Sequence, residues 1–223
     1  KAYSYDYNLE SINPEFSNTD NFILKTSIKP HACCRYKQGP LDIVLNIVKT
    51  HDLKPEDVNE INIEIVQTGL PIIALPEEEK RNPKSSVDAQ FSMHFGAAVA
   101  VLYRQTLLEQ YDEQVVNLPE VKELMKKVHC FRGEDLEIEF PKKWPARVKI
   151  ETTKGTFSDR IDYPKGDPEN PLTWEEMITK FNYVTNPVYD GSQQKQLVTK
   201  VRSMEEIGEI SDLSALLKGG VLA

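Results

Sequence analysis

The stretch KPHACCRYKQ, residues 29–38, gathers three cationic side chains, a histidine and two adjacent thiols. Three kinds of chemistry draw on such groups. A metal ion would use His31, Cys33 and Cys34, but H-x-C-C lacks the two-residue gap with which paired thiolates grip one zinc. No second ligand pair follows, so no metal is expected. A thiol nucleophile would be Cys34, its proton loosened by Arg35, or a cysteine brought against His94. Nothing in the pattern activates either thiol, and the plainer reading sets one cysteine against a core and the other against a helix start. An anion is the third possibility. Lys29, Arg35 and Lys37 precede Gly39-Pro40, a helix start where free N–H groups and the helix dipole favour negative charge. Arginine takes a carboxylate in a two-pronged fork, and lysine stabilises an enolate or delivers a proton. The alternative for Lys29 and Lys37 is plain solvation.

The other histidines add little. His94 lies beside Met93 and Phe95 on a predicted helix and reads as a core or interface residue, while His51 and His129 stand apart from any constellation. The phosphate-loop, dinucleotide and G-x-S-x-G patterns are absent from the sequence.

The elements that must position the cationic stretch can be read from hydrophobic period. Residues 1–21 have no period and form a lead-in, and residues 22–28 read as a strand running into the motif. Leu41, Val44, Ile47 and Val48 recur at helical spacing, so a helix is expected from Gly39-Pro40 to near Asp52. Ile61, Ile63 and Ile65 alternate with polar residues as in a half-buried strand. Leu70 to Lys84, with three prolines, reads as a long loop, and Ser86 to about Gln105 as one helix. A helix over 120–127, strands over 128–132 and 147–152, and a Lys154-Gly155 turn into a strand over 156–161 follow. After the proline-rich connector YPKGDPENP only helices are expected: 173–184, 192–204 and 213–217. Thr173 and Glu176 form a capping box there, and Trp174, Met177, Ile178 and Phe181 an apolar stripe. The fold class is α+β: a lead-in over 1–27, a mixed sheet-and-helix unit over 28–162, and a helical segment over 163–223. The stripes of that segment need a surface to cover them, either the α+β unit or helices outside this chain.

Composition narrows the function. The 223 residues carry a net charge of −8 and a pI near 5.2, against a nucleic-acid-binding role but compatible with a locally basic pocket for small anions. The apolar run from Phe95 to Leu102 is too short to span a bilayer, and no secretory leader is visible at the start. Three cysteines make no even disulfide framework and fit a reducing, cytoplasmic setting. The chain begins on Lys rather than Met, so an upstream portion is expected.

Three segments together resemble the 2-methylcitrate dehydratase (MmgE/PrpD) family. IKPHACCRYKQGPLDI is similar, without a gap, to the family's K-P-Y-x-x-C-R-Y-x-H-x-x-I-D-A. SSVDAQFSMHFGAAVAVL resembles its D-A-x-F-S stretch and the small-residue helix after it. PKGDPENPLTWEEMITKF resembles its G-D-P-x-N-P-x-T…K-F segment. The match covers roughly residues 20–217, the second half of a family chain. The resemblance implies an inserted lid-like α+β domain, with C-terminal helices belonging to an all-helical domain largely outside this chain. It also implies a lyase acting on small di- or tricarboxylates without metal or organic cofactor, a homodimer, and a cytoplasmic or, with a transit peptide, mitochondrial location. Dehydration of 2-methylcitrate is the leading expectation; decarboxylation of cis-aconitate, epimerisation, and a split or non-catalytic subunit are the alternatives. By the same resemblance Lys29 is the expected catalytic residue, and Arg35, Cys34, Gln38 and His31 the substrate contacts. Cys34 stands where the decarboxylase branch has a histidine, His31 replaces the usual Tyr, and Gln38 stands where many members carry His. The chain alone is expected to be inert.

Overall fold

The computed structural model describes residues 22–218. Within that range the helices are α1 (Gln38–Thr50), α2 (Leu70–Ile73), α3 (Glu77–Lys80), α4 (Ser86–Gln90), α5 (Met93–Tyr103), α6 (Glu113–Val116), α7 (Pro119–Lys126), α8 (Glu134–Glu137), α9 (Trp174–Thr185), α10 (Gly191–Arg202) and α11 (Ile210–Leu216). The strands are β1 (Val58–Ile65), β2 (Val128–Arg132), β3 (Ala146–Thr152) and β4 (Gly155–Ile161). They form one mixed sheet in the order β2-β1-β3-β4. β2 runs parallel to β1 with Ile61 beside Val128, while β3 and β4 are antiparallel additions with Ile61 beside Ile150 and Ile150 beside Phe157. The fold is α+β.

The two-residue period of the strands decides which face is covered. Val58, Ile61, Ile63 and Ile65 of β1 and Ala146, Val148 and Ile150 of β3 are buried. They form one core with α1, α5 and α7. α1 buries Leu41, Val44, Ile47 and Val48 at the spacing that predicted it. On the other side of the sheet Arg147 bridges Glu64 and Asp135, and Arg160 reaches Asp162 and Glu139. This solvated face balances its own charges.

Several elements differ from the sequence expectation, each for a local reason. The strand foreseen over 22–28 is a single 3-10 turn, Phe22–Lys25, followed by irregular chain. The lead-in over 1–21 lies outside the described residues. The single helix expected from Ser86 is two: the Ser92 side chain accepts from the Phe95 N–H at 3.1 Å and starts α5 afresh, as Ser85 starts α4 through the Asp88 N–H. The loop over 70–84 contains the one-turn helices α2 and α3, and α8 was not foreseen. α1 begins at Gln38 rather than at Pro40, because a 3-10 turn over Arg35–Lys37 feeds directly into it.

The helical segment packs back on the α+β unit through α9. Thr173 and Glu176 close the capping box, and Lys165 pairs with Glu176 at 3.1 Å. α10 is fastened to α9 by buried Gln194, which donates to the Asn182 carbonyl. The apolar stripe of α9 is incompletely covered, with Trp174 half exposed. None of the described helices is long and apolar enough to cross a membrane.

The connector reaches α9 through a turn that only glycine fits. Gly166 has φ +90, and its carbonyl accepts from the Ile28 N–H at 2.8 Å. A Cβ at that position would lie 1.8 Å from the Ile28 carbonyl oxygen. Gly166→Ala is therefore expected to destabilise the fold by about 2–4 kcal/mol, read as a lowered urea midpoint. An unchanged midpoint would show that the connector does not need this turn.

Candidate active site

The cationic stretch folds as a loop over 29–34 whose scaffold is a side chain, not the backbone. Gln38 is buried, and its amide nitrogen donates to the carbonyls of His31 and Cys33, both at 3.2 Å. Its amide oxygen accepts from the His31 N–H at 3.1 Å. Further backbone bonds tie Ala32 to the Thr106 carbonyl and Cys34 to the Gln90 carbonyl. The His31 ring bridges Asp42 Oδ1 at 2.8 Å and Thr106 Oγ1 at 2.7 Å. Asp42 Oδ2 in turn accepts from the Lys165 N–H. These polar groups satisfy one another inside the fold and hold the loop rigid.

The loop forms one side of a pocket of about 330 Å³. Lys29, His31 and Cys34 line it, with Phe91 after α4, Leu107 and Leu108, and Lys180, Tyr183 and Val184 of α9. The Lys29 ammonium donates to the Cys33 carbonyl at 3.1 Å, and the Lys180 ammonium donates to the Lys29 carbonyl at 2.5 Å. Burial, then the Lys29 charge, pushes the Lys180 pKa below its ordinary value. Among the described residues neither lysine meets a carboxylate. The pocket is thus a concave, partly apolar space with two ammonium groups, suited to a small anion.

Arg35 and Gln38, the other expected contacts, do not line this pocket. The Arg35 guanidinium pairs with buried Asp167 at 2.7 Å and lies over the Trp144 ring, so it secures the connector. Gln38 is committed to the loop scaffold. The anion site foreseen at the start of α1 is not open either. Gln38, Gly39 and Pro40 are buried, and a side chain at Gly39 would press against Ile161.

Sequence reasoning missed Lys180 and misplaced Lys37. Lys180 reaches the pocket by a tertiary contact that no local pattern announces, although it stands in the quoted ITKF. Lys37, read from the sequence as part of an anion site or else as solvated, is neither: it is fully buried and has no ion-pair partner among the described residues. Its ammonium donates to the Ala89 carbonyl at 3.0 Å and approaches the Tyr111 hydroxyl at 3.5 Å. Space for it comes from Gly96, where a Cβ would lie 2.6 Å from Lys37 Cε.

Burial shifts four further titratable groups in this interior. Burial pulls Lys37 down to about 8 and His94 down to about 4, and it pushes the Cys33 thiol up and that of Cys130 to about 12. Neither of these cysteines is an activated nucleophile, and His94 is a neutral core residue whose Nδ1 has no partner. No three His, Cys, Asp or Glu side chains among the described residues could together hold a metal ion.

Lys37 should leave a signature in the pH dependence of stability. The unfolded chain binds this proton up to about pH 10.5 and the folded chain only to about 8. The cost of burying the charge is therefore complete below pH 8 and is relieved as pH rises through that window. Relative to Lys37→Met, the wild type should gain about 2 kcal/mol between pH 8 and pH 10, measured as urea stability of both proteins at each pH. A pH-independent difference would mean that Lys37 is already neutral or solvated.

Comparison with known proteins follows the same lines. Residues 31–206 match the MmgE/PrpD C-terminal domain. A cis-aconitate decarboxylase of Aspergillus terreus is 29% identical over 199 residues, covering 85% of this chain and 40% of the relative. The cis-aconitate decarboxylases of Mus musculus and Homo sapiens are 28% and 27% identical, over 66% and 61% of this chain. The chain spans 40% of the length of the fungal relative and 31% and 28% of the two mammalian ones. A match over most of its length settles its kinship: the chain belongs to the MmgE/PrpD family of lyase-type enzymes, whose C-terminal domain it carries.

Proposed function

We propose that this chain supplies one wall of the active site of a lyase that cleaves a bond next to a carboxylate in a small di- or tricarboxylate. The observation that carries the reading is the Lys29 ammonium, held in the pocket by its own loop carbonyl and meeting no carboxylate among the described residues. Loss of carbon dioxide from an unsaturated tricarboxylate and loss of water from a hydroxy-tricarboxylate both build enolate-like charge on a carboxylate beside the reacting carbon. A fixed cation stabilises that charge most where solvent is excluded. Lys29 would carry this role, and the second N–H donors of its ammonium remain open to the substrate.

Decarboxylation of cis-aconitate is the first reaction to test, since it is the activity named for the relatives. Dehydration of 2-methylcitrate is the second reading. It is favoured by Cys34, a thiol in the pocket where the decarboxylase branch is expected to carry an imidazole. We further propose that the groups completing the site lie in the portion of the relatives' length that this chain does not span. The apolar rim of Phe91, Leu108 and Val184, all substantially exposed, supports coverage by another segment, as would a homodimer built around that portion.

In the complete protein, Lys29→Ala is expected to lower kcat by about two orders of magnitude or more on the true substrate. Product formation from cis-aconitate and from 2-methylcitrate is the measurement, and undiminished turnover would remove Lys29 from the site. The 223-residue chain by itself should turn over neither compound; measurable activity would refute the shared-site reading.

A further inference from the structure

We propose that Lys180 is a second substrate-binding lysine, which holds a carboxylate remote from the reacting carbon and sets a preference for substrates bearing that additional carboxylate. The proposal rests on the polycarboxylate reading above.

Its first support is placement. α9 carries Lys180 and, one turn further along, Tyr183 and Val184 into the pocket lining. The helix is held there at both ends: by its capping box and the Lys165–Glu176 pair at the start, and by the Tyr183 hydroxyl, which accepts from the Glu109 N–H at 3.1 Å. The Lys180 ammonium is anchored by one bond to the Lys29 carbonyl and retains two further N–H donors.

The second support is charge. Two ammonium groups line one pocket, and no described carboxylate lies within ion-pairing distance of either. Lys165, Arg35 and Lys143 do have such partners, in Glu176, in Asp167, and in Glu139 and Asp162 respectively, whereas Lys37 is buried behind the loop without one. Like charges gathered in a partly desolvated space oppose one another; the Lys180 pKa is lowered by burial first and by the Lys29 charge second. A ligand with two or more carboxylates removes the opposition by giving each lysine its own partner. A space of about 330 Å³ accommodates a molecule of tricarboxylate size.

The two lysines would then differ in kinetic effect. A carboxylate that keeps its charge throughout the reaction is gripped equally in ground and transition states, so its cation acts on KM and leaves kcat in place. The test uses the complete protein and two non-reacting probes, tricarballylate with three carboxylates and butyrate with one. In isothermal titration Lys180→Met should weaken tricarballylate about tenfold while butyrate binds nearly as before, with KM for the turned-over substrate rising in parallel and kcat retained. Lys180→Arg should recover most of the loss, and all variants should melt together by circular dichroism. Unchanged tricarballylate binding by Lys180→Met, or equal weakening of both probes, overturns the assignment of Lys180. A wild type that binds neither probe overturns instead the polycarboxylate reading on which it stands.

Discussion

The pocket depends on the joining of two segments far apart in the chain, 28–42 and 163–170. Three bonds make the joint: the Ile28 N–H to the Gly166 carbonyl, the Lys165 N–H to Asp42, and Arg35 to Asp167, the last pair separated by 132 residues. A partly buried ion pair of this kind contributes little net stability, because desolvation of Asp167 offsets much of the attraction. Its value lies in geometry. Once Arg35 is clamped to Asp167 and stacked on Trp144, the connector has one path, and α9 begins where its Lys180 can reach the Lys29 loop.

The same economy of polar groups runs through the loop itself. Gln38 serves as an internal strut with one side chain satisfying several backbone groups, and His31 completes a chain from Asp42 to Thr106. An apolar residue at either place would leave buried carbonyls or N–H groups without partners, which costs more than the side-chain bond contributes. The loop is consequently rigid before any ligand arrives, and its Lys29 is presented on a fixed frame beside Lys180 of α9.

Much of this fold was legible because its causes are local. The alternation of Ile61, Ile63 and Ile65, the helical stripe from Leu41 to Val48 and the capping box at Thr173 each carry their geometry within a few residues. The break at Ser92 was hidden by the apolar run that follows it, although Ser85 and Ser92 are both of the type that caps helices. The site was legible only in part. Lys29, His31 and Cys34 do meet in one pocket. Arg35 was singled out for its chemistry, and Asp167 lay in a quoted segment, but nothing local says that the two find each other. Burial of Lys37 and arrival of Lys180 are likewise decisions of tertiary packing.

The notch at Gly96 carries a consequence for descent. Lys37 Cε occupies the volume in which any larger residue at 96 would place its first carbon. A side chain at 96 would push the far end of Lys37 aside, away from its bond to the Ala89 carbonyl. The two positions thus share one volume, and in relatives with this interior a change at one is felt at the other.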